Sequence, residues 1–142
     1  MAGSFKGQDA IIKHLNDLLS TQRDRFQLYL EVLNKQKDAI EHARVENILA
    51  YVEAGEKLAA DIFAIQKVIE PLENATSVSE TQEIVNIKAV LEHLRQNAIL
   101  QSEENKALLS KRMALIACEI KSLQQNPMRS RISTPSFIDI EL

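Results

Sequence analysis

Apolar residues recur at alternating steps of three and four along the first third of the chain. This spacing is typical of a helix that presents one apolar stripe to neighbouring helices. Two glutamines would form polar layers within the stripe. The pattern predicts a first helix over about 8–41, with the stripe at Ile12, Leu15, Leu19, Gln22, Phe26, Tyr29, Leu33, Gln36 and Ile40.

A second stripe with the same spacing predicts a helix over about 46–70. Its members are Val45, Ile48, Val52, Gly55, Ala59, Ile62, Gln66 and Ile69. No Gly or Pro separates the two stripes, so the turn between them is inferred from energetics. One helix over 8–70 would be about 95 Å long and could cover its stripe only with other chains. We therefore expect a turn between residues 38 and 47. The second helix should end before Pro71, because the residue preceding a proline disfavours helix.

The third stripe predicts a helix over about 79–125, bounded by a capping box at Ser77 with Glu80 or Ser79 with Gln82 and by Asn126-Pro127. Its members are Ile84, Ile87, Leu91, Leu94 and Ala98, and it resumes at Leu108. The polar segment QSEENK, residues 101–106, interrupts it. At 1.5 Å per residue this helix is about 70 Å long, against about 50 and 37 Å for its predecessors. In an up-down-up arrangement the polar segment would reach the turn joining the first two helices, where Gln101, Ser102 and Asn105 would bond free backbone groups.

Beyond that turn the third helix would overhang the bundle with an apolar surface that has no partner within the chain. Such a surface predicts an interaction site. We expect it to comprise Leu108, Leu109, Met113, Leu115, Ile116, Ile120 and Leu123. The alternative is a kink near Ser102 that packs the second half of the helix on the core as a fourth helix. The glutamines of the stripes also have two interpretations: control of helix register, or a partly wet groove for a partner helix.

Composition supports an all-α fold, because the chain has 45% hydrophobic residues, 4% aromatic residues and only three Gly and three Pro in 142 residues. We predict a long antiparallel three-helix bundle, or a four-helix bundle if the kink occurs, with coiled-coil-like packing over 1–126. A flexible tail over 127–142 would follow. The net charge of −3 without a basic block disfavours a nucleic-acid partner.

Candidate chemistry is sparse, so we expect neither an enzyme nor a cofactor. His14, His42 and His93 are scattered outside metal-binding spacings, which predicts no metal site. Cys118 lies in an apolar run and should be a small core residue in a reducing compartment. The N-terminus lacks a signal-peptide pattern, and no segment approaches the roughly 20 apolar residues of a membrane span. The expected location is cytoplasmic, without membrane insertion.

Four segments carry a resemblance to a known family: Leu15–Leu33, Ala39-Ile40 with Arg44–Val52, Lys57 with the apolar residues after it, and Leu100–Leu109. The last is similar to a pattern of Leu, two Asn three apart, and Leu-Leu. Asn105 and Leu108-Leu109 match this pattern, whereas Ser102 stands at the first Asn. The ending Phe137-Ile-Asp139 is faintly similar to the short Phe-Asp-type ending of some members. On these residues the chain resembles the FlgN-type flagellar export chaperones.

This resemblance implies a cytosolic type III secretion chaperone of hook-associated, or hook-filament junction, proteins. It would bind their amphipathic C-terminal helices, prevent premature assembly, and deliver them to the export gate or to export ATPase components without hydrolysing ATP. The overhang would bind the client, and Phe137, Ile138 and Ile140 of the tail would form a second docking segment. The alternative is a homo-oligomeric coiled-coil adaptor, such as a homodimer, in which the overhang pairs with its own copy.

Overall fold

A computed structural model describes residues 2–75 and 81–125, with side chains from Gly7 onward. These residues form three helices: α1 (Ala2–Glu41), α2 (Val45–Ala75) and α3 (Gln82–Gln125). The described ranges contain no strand, so the prediction of an all-α chain is confirmed. No helix within them combines the length and the apolarity needed to cross a membrane.

The first helix lies at the centre of the fold. It packs along both α2 and α3, whereas those two outer helices scarcely meet one another in the described ranges. One apolar cluster joins Leu15 and Leu19 of α1 to the C-terminal part of α2 and the N-terminal part of α3; its buried members are Leu15, Leu19, Ile69, Ile84, Ile87 and Leu91. A second cluster near the α1–α2 turn comprises Ala39, Ile40 and Ile48. The path of the chain is therefore up, down and up, with α3 parallel to α1.

The turn between α1 and α2 lies at 42–44, inside the interval 38–47 expected from the stripes. Ala43 adopts the left-handed conformation, with φ of 53°. The Arg44 amide donates to the Ala39 carbonyl at 2.9 Å, and the Ala43 amide donates to the Ile40 carbonyl at 3.2 Å. These two bonds form a Schellman motif, which usually places glycine where Ala43 stands. The absence of glycine explains why the sequence did not mark this turn.

The expected end of α2 at residue 70 was wrong, because α2 continues through Pro71 to Ala75. A proline inside a helix removes one backbone hydrogen bond and crowds the preceding turn. Packing opposes this cost: Ile69 is completely buried, and Leu72 packs against the same cluster. Burial on both sides of Pro71 therefore carries the helix past it.

The third helix begins at Gln82, three residues later than expected. The Ile84 amide donates to the Thr81 hydroxyl oxygen at 3.3 Å, so Thr81 is the N-cap. The serines predicted for this role lie in 76–80, outside the described residues. From Gln82 to Gln125, α3 is unbroken and passes Ser102 without interruption.

Candidate partner-binding site

Asn105 fills the interruption in the stripe of α3 with a buried polar layer. Its side chain is 3% exposed. Its Nδ2 donates to the Leu33 carbonyl at 2.8 Å and to Gln36 Oε1 at 3.0 Å. Its Oδ1 accepts a hydrogen bond from Gln101 Nε2 at 2.9 Å. All the polar atoms of this amide are thus used, and Asn105 fixes the register of α3 on α1.

The expectation that this polar segment reaches the α1–α2 turn was wrong. Leu33 lies two turns before the end of α1, and Ser102 lies half-buried at the wall of a cleft. The residue that bonds the backbone at the turn is Arg112, whose Nη2 donates to the Glu41 carbonyl at 2.6 Å. The cause is the length of α2 together with the start of α3. From residue 45 to residue 75, α2 advances 30 residues away from the turn. Starting at Gln82, α3 returns over the same distance and reaches the turn at Arg112. With the predicted bounds of 46–70 for the second helix and a start of the third helix at 79, residue 103 would lie at the turn.

Past Arg112, α3 continues from 112 to 125, which is 13 residues and about 20 Å. We call residues 113–125 the overhang. Met113 and Ile116 at its base line a small crevice at the α1–α2 turn. Leu115 is 51% exposed, whereas Ile120 and Leu123 are half-buried. Apolar side chains therefore continue along the overhang beyond the turn.

The remaining residues of the predicted client surface lie below the overhang. Leu108 and Leu109 pack against the buried cluster of Ala39, Ile40 and Ile48. The predicted set therefore divides into a base fixed to the core and a projecting part. The predicted docking residues of the tail, Phe137, Ile138 and Ile140, lie outside the described residues.

Cys118 is exposed, so the expectation that it is a core residue was wrong. It follows Ile116 by two residues, which is about 200° around the helix. The apolar run Ala114–Cys118 therefore covers several faces of α3, and only some of these faces point toward other helices.

A long groove separates α2 from α3, with α1 as its floor. It consists of two adjoining clefts that share Tyr29 and Ala59, with volumes of about 650 and 480 Å³. Both volumes fall in the range of protein binding pockets, roughly 300–1,000 Å³. We call this the α2–α3 groove. Its floor contains Leu19, Gln22, Phe26, Tyr29, Leu33, Gln36 and Ile40.

The glutamines of the stripes form polar contacts within this groove. Gln22 is 4% exposed and donates to Gln66 Oε1 at 3.0 Å. Gln36 accepts a hydrogen bond from Asn105, as described above. All three glutamines therefore take part in contacts between helices, as register control requires, and they also line the clefts. The glutamine positions alone predict a wet groove only in general terms, and the packing of the helices shows that α2 and α3 stay apart.

Ion pairs lie at the wider cleft of the groove. Lys88 of α3 and Glu73 of α2 approach to 3.4 Å and connect the two walls. Glu92 accepts hydrogen bonds from Arg95, at 2.8 and 3.0 Å, and from Gln96. The hydrogen bonds from Arg95 are the main reason why the pKa of Glu92 falls from 4.5 to about 2. The same contact raises the pKa of Arg95. Within residues 2–75 and 81–125, no three His, Cys, Asp or Glu side chains are arranged to hold a metal ion.

No family model matches the chain, and no solved structure matches it. An uncharacterized protein of Treponema pallidum (strain Nichols) is 36% identical over 102 residues, covering 70% of this chain. The alignment covers 66% of that protein, so the chain spans just under two thirds of its relative's length. This similarity assigns no activity.

Proposed function

We propose that the protein is a cytoplasmic flagellar export chaperone of the FlgN type. It binds the amphipathic C-terminal helices of hook-associated proteins, keeps them from assembling prematurely, and delivers them to the export gate or to export ATPase components. The resemblance in residues 15–33, 39–40 with 44–52, Lys57 with the apolar residues after it, and 100–109 supports this proposal. The three long helices of the structure also agree with the long-helix bundle that the resemblance implies.

The observation that carries the proposal is the overhang of α3. It projects about 20 Å past the α1–α2 turn and carries Met113, Leu115, Ile116, Ile120 and Leu123. Recognition of an amphipathic helix requires an apolar surface of about this kind, with anchors spaced three and four residues apart. Subunits of a helical filament that associate through terminal helices would be kept apart by a partner covering those helices.

The base of the overhang is held rigidly, which favours binding. Leu108 and Leu109 pack on the core, Asn105 fixes the register, and Arg112 bonds the end of α1. A surface that is already ordered loses less conformational entropy when a partner binds. Catalysis plays no part in this mechanism, since capture and release of a helix require no bond to break.

The test is a pair of charge substitutions on the overhang, Leu115→Glu and Ile120→Glu. We expect each to weaken binding of a C-terminal helical fragment of a hook-associated protein by at least about tenfold, because a carboxylate would be buried against apolar side chains. The helical circular dichroism signal should remain unchanged. Leu28→Glu is the matched control, since Leu28 is 41% exposed in the middle of α1, 13 residues before its end. Unfolding of the overhang variants would show that this segment belongs to the core and would contradict the proposal.

A homo-oligomeric adaptor is the second candidate, because the same exposed apolar side chains would suit a second copy of the chain. In that arrangement two overhangs pair with each other. Sedimentation equilibrium separates the candidates: a chaperone is a monomer that gains mass only with a client fragment, whereas an adaptor is a dimer alone. Leu115→Glu should dissociate such a dimer.

A further inference from the structure

The two outer helices flank α1 and leave one side of the bundle open. In a closed three-helix bundle α2 and α3 would pack on each other, but here they scarcely meet in the described ranges. The open side is the α2–α3 groove, whose two clefts run from Leu19 to Ile40 along α1. This distance is 21 residues, or about 32 Å of helix. The open side therefore has the position and length of a missing fourth helix.

The lining of the groove suits an apolar helix face. Leu19, Phe26, Tyr29 and Leu33 form apolar parts of the floor, and the wall of α2 contributes Ile62 and Phe63, among others. Phe63 is 62% exposed at the mouth of the wider cleft, where the Lys67 ammonium lies 4.7 Å from the centre of its ring. Ala59 is exposed and keeps the middle of the α2 wall low, so a neighbouring backbone can approach closely there, whereas Gly55 is buried beside Tyr29 and Val32 of α1.

The charged residues on the two walls of the groove indicate which charges a bound helix carries along its edges. Around the wider cleft, Glu73 pairs with Lys88 and Glu92 pairs with Arg95, so these charges are satisfied within the chain. Around the narrower cleft, Glu56 lies on the α2 wall and Lys106 on the α3 wall. Both are exposed, and neither forms an ion pair within residues 2–75 and 81–125. A helix between them is favoured if it presents a basic edge to Glu56 and an acidic edge to Lys106.

We propose that the α2–α3 groove binds one amphipathic helix of about 20 residues from a partner protein, which completes a four-helix bundle over α1. Its apolar face contacts α1, one edge carries Lys or Arg beside Glu56, and the other edge carries Asp or Glu beside Lys106. The inference rests on the proposed function in one respect only, namely that an export client supplies this helix. The overhang and the groove are then two parts of one client surface, joined at Leu109, which lines the groove close to the turn.

The first experiment measures binding of the full chain to a fluorescein-labelled 21-residue synthetic peptide by fluorescence anisotropy. The peptide has Leu and Ile at heptad a and d positions, Lys along one edge and Glu along the other. Ala59→Trp should weaken binding at least tenfold, because Ala59 lines both clefts and is exposed, so that the new ring fills the groove without disturbing the core. Ala60→Trp is the control: Ala60 is exposed but lines neither cleft.

A charge exchange tests the assignment of the edges. A second peptide carries Glu along both edges. The natural chain should bind the mixed peptide more tightly than the second peptide. The Glu56→Lys variant should instead bind the second peptide more tightly, by roughly fivefold in Kd, as expected for an exposed ion pair. The double variant Glu56→Lys with Lys106→Glu should again prefer the mixed peptide. The peptide should bind this variant in the opposite direction, because reversing the helix exchanges its two edges between the α2 and α3 walls.

The outcomes separate this inference from the proposed function. Equal binding of the mixed peptide to the Ala59→Trp and natural chains would overturn the groove proposal. So would a dimer of the free chain that Ala59→Trp dissociates, since the occupant would then be a second copy. If the natural chain binds the mixed peptide but no fragment of a hook-associated protein, the groove proposal stands and the chaperone assignment fails.

Discussion

Replacing Asn105 by Asp tests whether the buried amide is a hydrogen-bond donor that α1 requires. The side chain keeps its shape, so the change alters chemistry with little change in volume. In the natural chain Nδ2 donates to the Leu33 carbonyl at 2.8 Å and to Gln36 Oε1 at 3.0 Å. A carboxylate at this place can donate to neither, and its second oxygen faces two acceptor oxygens.

The expected loss in the free energy of unfolding at pH 7 is about 3 kcal/mol. Each lost hydrogen bond contributes about 1 kcal/mol. A charge that is buried without a partner adds more, and removal of one partner from a buried pair typically costs about 3–5 kcal/mol. Because Asn105 is only 3% exposed, water can stabilise the carboxylate little.

The pH dependence gives a second, independent readout. Burial and the facing oxygens raise the pKa of Asp at this position in the folded state above its unfolded value, near 3.9. The folded variant then binds more protons than the unfolded chain between the two pKa values, so its stability falls as pH rises through that window. Relative to the natural chain at the same pH, the variant should recover part of its deficit between pH 7 and pH 4, since protonated Asp donates one hydrogen bond.

Urea denaturation followed by circular dichroism at 222 nm measures both effects. Asn34→Asp is the control, because Asn34 is exposed on α1 and its change should stay within about 0.5 kcal/mol. A variant at position 105 that is as stable as the natural chain at pH 7, or whose deficit does not depend on pH, would refute the assignment of Asn105 as a buried donor.

Two further predictions concern the turn and the groove. Ala43→Gly should raise the free energy of unfolding by about 0.5–1 kcal/mol. Glycine relieves the left-handed strain at φ of 53°, and this gain exceeds the extra chain entropy that glycine loses on folding. An unchanged urea midpoint would show that Ala43 is not strained. The Glu92 carboxyl should titrate near pH 2 by NMR, and Arg95→Gln should return it toward 4.5. Since the folded pKa of Glu92 lies below its unfolded value, this contact stabilises the fold above about pH 4.5, and the contribution is lost as pH falls toward 2. A Glu92 midpoint that Arg95→Gln does not move would contradict the stated cause.

The stripes of apolar residues predicted three helices and the approximate place of the α1–α2 turn, because helical periodicity is a local property of the sequence. The end of α2 could not be read in the same way. Pro71 is a strong local signal to stop, yet the burial of Ile69 and the packing of Leu72 oppose it. That error accounts for five of the nine residues by which the predicted contact of the polar segment was displaced, and the start of α3 at Gln82 accounts for three more. Ser102 and Asn105 were consequently predicted to bond the backbone at the turn, whereas Arg112 makes that hydrogen bond.

The sequence by itself determined the helices and the polar interruption at residues 101–106, because spacing and side-chain type suffice for both. Only the tertiary structure decided which carbonyl Asn105 bonds, that Cys118 points outward, and that α2 and α3 leave a groove between them. These features depend on the relative heights and rotations of helices, which are fixed by contacts between residues about 70 positions apart, such as Asn105 with Leu33. Periodicity indicates the apolar face of each helix, but it does not indicate which residues of a neighbouring helix pack against that face.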